Sequence, residues 1–250
     1  MATPRLDQAL VDRGLFDSRE KAKRAVMAGV VEVNGQVAKK ASDKVRENDT
    51  ISVKETEKFV SRGGLKLAHA LIHFQINPTG LIAIDLGAST GGFTDCLLQA
   101  GARQVFAVDV GQGQLAWKLR QDERVVVMEK TNARDLTSAN FPDPFDPFPL
   151  VVADCSFISL RKILPPAVAL MGAGSRMLAL IKPQFEAGKA EADKGRGVIS
   201  DPAIHRRVLE ELRAFVSEEL PGLKWIGSTE SPIKGPAGNK EFLALLEKED

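Results

Sequence analysis

Six short, almost wholly apolar runs punctuate this chain, at residues 81–84, 105–108, 125–128, 150–153, 177–181 and 242–246. They lack the alternation of a strand that is wet on one face and are too short for helices, so each predicts a strand covered on both sides. Helical stretches separate them, one expected to begin near Phe93. Strands alternating with helical connections predict an α/β fold on a mostly parallel, doubly wound sheet. The runs at 81–84, 105–108, 150–153 and 177–181 lead into Asp85, Asp109, Asp154 and Lys182. Ligands of open α/β sheets sit beyond the carboxyl ends of the strands, so Asp154 and Lys182 are expected to enter one cleft. A lysine directly after an apolar strand is costly unless paired or used. The last run follows a glycine- and proline-containing loop, SPIKGPAGNKE, which leaves Glu241 at the mouth of its strand.

Residues 5–53 follow a different pattern. Leu6, Ala9, Leu10 and Leu15 recur at helical spacing. A second helix is opened by Ser18, with Glu20 and Lys21 in its first turn and Ala22, Ala25 and Val26 on one face. Gly29 turns the chain into VVEVNG, and Ile51-Ser52-Val53 closes the module. Arg19, Lys21, Lys23 and Arg24 crowd the second helix, and Lys39, Lys40 and Lys44 follow in a loop. Such a basic face suits sequence-independent phosphate binding; the interspersed acids suit a plain solvated helix equally well. Further on, Gly63 and Gly64 precede a helix carrying Leu65, Leu67, Ala70 and Leu71, with Lys66 expected on a different face.

With 250 residues, 44% of them hydrophobic, the chain is long enough for one large α/β domain and one small module. The expected partition is 1–55, a linker at 56–61, and 62–250. A net charge of +1 excludes a generally basic coat, so any nucleic-acid surface must be local. Two cysteines, Cys96 and Cys155, support neither a disulfide framework nor a metal site. No secretory leader or membrane-length apolar run is visible, which predicts a reducing, cytoplasmic location.

The turn after the first apolar run reads IDLGASTGGFTD. Its glycines are spaced G-x-x-x-G-G rather than the G-x-G-x-x-G of dinucleotide folds, and an ordinary strand-to-helix turn is the plain alternative. It resembles the first motif of S-adenosylmethionine-dependent methyltransferases. That resemblance implies S-adenosyl-L-methionine as cofactor, lined by Asp85, Gly87, Ala88, Ser89, Gly91, Gly92 and Phe93. Asp109, about twenty residues beyond the turn, stands where an acid receives the adenosine ribose hydroxyls. In Thr131-Asn132-Ala133-Arg134-Asp135, Asn132 is the favoured contact to the adenine edge, while Asp135 is equally suited to starting a helix.

The N-terminal wording, RLDQALVDRGLFDSREKAKRAVMAGVVEVNGQ with a late VRENDTISV, resembles the RNA-binding domain named after ribosomal small-subunit protein four. The resemblance implies RNA contacts from Arg5, Arg19, Lys23 and Arg24. The larger part resembles the FtsJ-like ribose 2′-O-methyltransferases, whose Lys-Asp-Lys-Glu tetrad falls on Lys66, Asp154, Lys182 and Glu241. SRGGLKL, DLGASTGGFTD, VDVGQGQLAWKLR, TNARDL, ADCSFISL, IKPQFEAGK and SPIKGPAGNKEFL together are similar to the haemolysin A (TlyA) family of ribosomal-RNA methyltransferases. These resemblances imply a Rossmann-like methyltransferase sheet with an antiparallel C-terminal strand, preceded by a small α+β RNA-binding domain. One departure from the broader FtsJ pattern is Cys155-Ser156-Phe157 after Asp154, where a proline-bearing segment is usual.

A ribose 2′-hydroxyl is a poor nucleophile and must lose its proton as it attacks the sulfonium methyl. A lysine serves as base when a second ammonium or desolvation disfavours its charged form. Lys182 is the expected base, with Lys66 lowering its pKa or holding the hydroxyl, Asp154 orienting Lys182 and the methyl-donor site, and Glu241 orienting Lys66. The family resemblance implies a cytidine of ribosomal RNA, within a ribosomal subunit, as target; the chain looks like the shorter members that act on the large subunit, with the small subunit as second choice. A monomer without metal is expected. Three rivals are a degenerate RNA-binding protein, a membrane-active haemolysin and a base N-methyltransferase. The absence of tyrosine and the charged tetrad count against the last.

Overall fold

The computed structural model describes residues 3–54 and 58–249, and the chain divides into two compact units, Met1–Glu57 and Lys58–Asp250. In the smaller unit, helices α1 (Leu6–Asp12) and α2 (Arg19–Met27) cover a three-stranded antiparallel sheet of β1 (Val31–Val33), β2 (Gln36–Val37) and β3 (Ile51–Val53), in the order β2-β1-β3. Leu6, Leu10, Ala22, Val26, Val31 and Val45 form its core. Ser18 caps α2 by accepting from the Lys21 amide. Leu15, expected on the first helix, lies beyond its end and is exposed, because the chain turns through Gly14 at φ +72.

The larger unit is a seven-stranded sheet flanked by helices. In chain order it contains α3 (Gly63–His73), β4 (Ile82–Leu86), α4 (Gly92–Gln99), β5 (Gln104–Val108), α5 (Trp117–Arg120), β6 (Val125–Met128), β7 (Phe148–Ala153), α6 (Leu164–Ala169) and β8 (Met171–Ile181). Short α7 (Pro183–Glu186) and α8 (Lys189–Lys194), long α9 (Pro202–Glu219), β9 (Leu223–Glu230) and β10 (Phe242–Lys248) complete it. The strand order is β6-β5-β4-β7-β8-β10-β9. Pairings from β6 through to β8 are parallel, and β10 runs antiparallel to both β8 and β9. The fold is therefore the doubly wound, mostly parallel sheet the apolar runs predict. Successive residues of β4 serve opposite layers: Ala83 joins the core under α3 and α4, and Ile84 the core under α6 and α9.

The structure corrects one boundary and adds two elements. Of the linker expected at 56–61, residues 56 and 57 lie outside the described residues. Lys58–Ser61 belong to the larger unit, where Phe59 is buried against α3 and the Val60 amide donates to Asp95 Oδ2 at 2.8 Å. The pattern also assigns nothing to α9 or β9. Helix α9 carries the usual start signals, an Asp201 cap and Pro202 in its first turn. Edge strand β9 is hidden by Ile226, half-exposed on its outer face.

Candidate active site

Strand order reverses at β4, whose neighbours β5 and β7 lie on opposite sides, so a crevice opens beyond its carboxyl end. The chain enters that crevice at Gly87, φ +85, whose amide and that of Ala88 both donate to Val108 O. A Cβ on Gly87 would lie 2.8 Å from the Asp154 carbonyl, so only glycine lets the turn pass this close to β7. Asp109 braces the turn from β5. Its Oδ2 accepts from the Ser89 amide at 2.8 Å and its Oδ1 from the Gly111 amide at 2.7 Å.

Two cavities meet over this turn and share Gly87, Ser89, Asp154 and Ser156. The larger, about 820 Å³, is lined by Asp109, Thr131, Asn132 and the loop from Cys155 to Ser159. The smaller, about 280 Å³, is lined by Ala88, Gly92, Phe93 and all four tetrad residues. Asn132 lies at the larger cavity, although its side-chain oxygen also accepts from the Arg134 amide. Two of the residues expected to line a cofactor face neither cavity. Gly91 sits behind the turn at φ +97, where a Cβ would strike Leu115 and Leu119. Asp85 is fully buried because β4 runs on through Leu86, which leaves the carboxylate inside the sheet instead of above it. Its Oδ2 accepts from the Thr94 hydroxyl at 2.7 Å, and Oδ1 has no partner. Burial pushes its pKa up to about 7 against the pull of the Thr94 hydrogen bonds, and Asp154 and Asp109 add to the rise.

The tetrad comes from four elements. Lys66 on α3 donates to Glu241 Oε2, just ahead of β10, at 2.5 Å. Both are buried, which corrects the expectation for α3: Lys66 points inward with Gly64, Leu67, Ala70 and Leu71, and Leu65 is exposed. Lys182, at the end of β8, lies 2.5 Å from Asp154 Oδ1, at the end of β7, without hydrogen-bond alignment, and donates instead to Ser156 Oγ at 2.7 Å. Sequence context marks Ser156 only as part of the segment that departs from the broader FtsJ pattern, and it gives no role to Arg62, Thr90 and Lys234, which also line the smaller cavity. Phe157 is 90% exposed at φ +62, its ring beside that of Phe185. Glu186 fastens the same loop, accepting from Ser159 Oγ at 2.6 Å and the Leu160 amide at 2.7 Å. Burial pushes the Cys155 thiol up to about 12, which keeps it protonated.

In the smaller unit, Arg5 and Arg19 both pair with Asp7, at 3.1 and 2.9 Å. The Asp7 side chain is fully covered. Burial alone would raise its carboxyl, but the hydrogen bonds and charges of Arg19 and Arg5 outweigh that and hold it below the usual range. Lys23 and Arg24, on α2, form no ion pair with the described residues. Among the described residues no helix is long and apolar enough to cross a membrane, and no group of three or more metal-ligating side chains is assembled.

A glycine turn at the switch point of a doubly wound sheet, with an acid closing the next strand, places the larger unit among the Rossmann-like folds. The chain matches the FtsJ-like methyltransferase family over residues 59–248 and the S4 domain over residues 4–51. It is 51% identical over 243 residues to YqxC of Bacillus subtilis (strain 168), named as a candidate rRNA methyltransferase, covering 97% of this chain and 85% of that one. It is 44% identical over 246 residues to the 16S/23S rRNA (cytidine-2′-O)-methyltransferase TlyA of Mycobacterium tuberculosis (strain CDC 1551), covering 97% and 89%. A solved structure from Streptococcus thermophilus, labelled a hemolysin, shares 45% identity at a TM-score of 0.74, covering 100% of this chain and 90% of that one. The chain belongs to the FtsJ-like methyltransferases and, with its S4 domain, to their TlyA (haemolysin A) group.

Proposed function

We propose that the larger unit methylates a ribose 2′-hydroxyl of ribosomal RNA, at a cytidine, and that the S4 domain holds that RNA through Arg5, Arg19, Lys23 and Arg24. The observation that carries this reading is the meeting of two lysine–carboxylate pairs, Lys66–Glu241 and Lys182–Asp154, at the glycine turn. The name of the M. tuberculosis relative supports ribose and cytidine; large-subunit RNA is the first candidate and small-subunit RNA the second. The setting would be the cytoplasm, where ribosomal subunits are found.

S-adenosyl-L-methionine suits the larger cavity, which is lined by the backbone of the turn at Gly87 and by Asp109, a carboxylate where ribose hydroxyls need an acceptor. Gly87, Ser89, Asp109 and Asn132 would hold it, and when bound it supplies an electrophilic methyl on sulfur. Everything else falls to the protein's own groups. Lys182 Nζ removes the 2′-hydroxyl proton, a role open to it only as the neutral amine. Asp154 and Ser156 fix the position of that nitrogen. Lys66, oriented by Glu241, steadies the ribose oxygen. Lys66, Lys182 and Glu241 are buried, so these groups are held in place before RNA arrives.

Incubation of purified ribosomal subunits with the enzyme and methyl-labelled cofactor, followed by mapping of the labelled nucleotide, tests the reading. Label on a cytidine ribose is expected. Label on a base, or none on either subunit, would overturn it.

A further inference from the structure

Charges around the smaller cavity do not balance. Arg62, Lys66, Lys182 and Lys234 line it, against Asp154 and Glu241. Lys66 and Lys182 each have their carboxylate at 2.5 Å. Arg62 and Lys234 are exposed, and neither pairs with any described carboxylate within 4.0 Å. Two cations without a carboxylate partner among the described residues therefore face a cavity that, on the function proposed above, receives a ribose. A nucleotide inside an RNA chain brings two phosphodiesters with it, one on each side of that ribose and each carrying one negative charge.

The backbone beneath both cations is tightly constrained. Arg62 precedes α3 on a segment fixed by Phe59, whose ring fills the space a Cβ on Gly64 would need, and by the Val60–Asp95 hydrogen bond. Gly92 packs beneath the same segment, leaving no room for a Cβ beside Ser61 and Gly64. Lys234 lies in the loop between β9 and β10, which is wrapped around Glu241: a Cβ on Gly235 would collide with Glu241 Oε1. That loop is tied off by hydrogen bonds from Ser231 Oγ to Ile233 O and from the Gly235 amide to Asn239 O. Buried Asn239 anchors it further, its side chain donating to Gly197 O and accepting from the Ile199 amide, each at 2.8 Å. Fixed backbones carrying free cationic side chains are pre-organised for an anion, at little ordering cost.

We propose that Arg62 and Lys234 bind the two phosphodiesters flanking the target ribose, Arg62 by a bidentate fork and Lys234 as a point charge. They recognise the RNA backbone and not the base. The clamp rests on the methyltransferase reading, but RNA binding tests it without turnover.

Equilibrium binding of a ribosomal-RNA fragment spanning the mapped site is measured against salt for wild type, Arg62→Ala, Lys234→Ala and the double variant. Each single variant should weaken binding about tenfold, as loss of a charged hydrogen bond does, and reduce the slope of log affinity against log salt by about one. The Michaelis constant for subunits should rise in parallel, with turnover at saturation within about twofold of wild type. A methylphosphonate at the contacted linkage should weaken the wild type and leave the matching alanine variant unchanged. Unchanged slopes and affinities in the double variant would overturn the proposal. So would a loss of cofactor affinity with RNA binding intact, which would assign Arg62 to the cofactor's carboxylate. Melting curves and the Arg62→Lys and Lys234→Arg variants exclude misfolding, since a retained charge should restore most of the salt slope. A wild type that binds RNA with these slopes but leaves ribose unmethylated would sink the methyltransferase reading and keep the clamp.

Discussion

In the smaller unit one covered carboxylate, Asp7, is shared by two arginines whose side chains remain nearly half exposed, whereas in the cleft each lysine has its own carboxylate and both lysines are themselves buried. Around Asp7 only the acid gives up its water, and the pairing is an inexpensive way to tie α1 to α2. In the cleft Lys66, Glu241 and Lys182 are all desolvated and Asp154 largely so, an arrangement that adds little net stability over well-packed apolar side chains. On the function proposed above, both pairs are kept for the reaction. The comparison also separates the four basic residues expected at RNA. Arg5 and Arg19 help hold the S4 domain together, while Lys23 and Arg24 have no described partner and are free to meet phosphate.

The sharpest break of this contrast comes from Lys182. Lys182→Ala should lower single-turnover methylation about a thousandfold, within the range for loss of a general base, with cofactor affinity nearly intact. Lys182→Arg should fail as well, because a guanidinium keeps its proton. Retention of more than a tenth of the rate would move the base to Lys66 or to water.

Next in size is Glu241→Ala, which strands the buried Lys66 ammonium and should cost about 3–5 kcal/mol in denaturant unfolding. Lys182→Ala should cost less, because the Asp154 it leaves behind retains 21% side-chain exposure. Equal losses would mean that both pairs are structural.

Asp85 extends the contrast to a buried acid with no cation. Its folded pKa of about 7 lies above its ordinary value of 3.8, so between these values the unfolded chain ionises first and stability falls as pH rises. The slope should reach at most about 1.4 kcal/mol per pH unit and vanish above about pH 7. Asp85→Asn should remove this slope, as urea unfolding at several pH values would show; an unchanged slope would place the titration elsewhere. Asp7 has the opposite sign: with its pKa held low, its contribution is present above the ordinary value and disappears as pH falls through the folded one.

The smallest effects should come from the S4 domain. Arg5→Ala and Arg19→Ala should each destabilise it by about 1–2 kcal/mol through the hydrogen bond lost to Asp7. Lys23→Ala and Arg24→Ala should stay within about 0.5 kcal/mol. All four should reduce the salt slope of RNA binding by about one. Equal stability losses across the four would erase the distinction drawn between them.

The sheet and the chemistry at its edge follow from the apolar pattern of the chain. A strand buried on both faces needs a nearly unbroken apolar run, so β4 to β8 stand out in one dimension. The charged residues that end β7 and β8 stand out by contrast with those runs, and the glycine turn by the spacing its backbone needs. Alternation failed where the rule is weaker, at edge strand β9, whose outer face keeps the apolar Ile226. Tertiary structure alone decided which side chains look into the crevice. One more residue of strand, Leu86, took Asp85 out of it, and the packing of Leu115 and Leu119 turned Gly91 away. Helix α3 rolled Lys66 inward, toward a carboxylate 175 residues distant. Arg62, Ser156 and Lys234 gather there from loops with no periodicity to mark them. Periodicity records how much of an element is buried; which group meets which across the fold depends on contacts between distant segments, and these exist only once the chain has closed on itself.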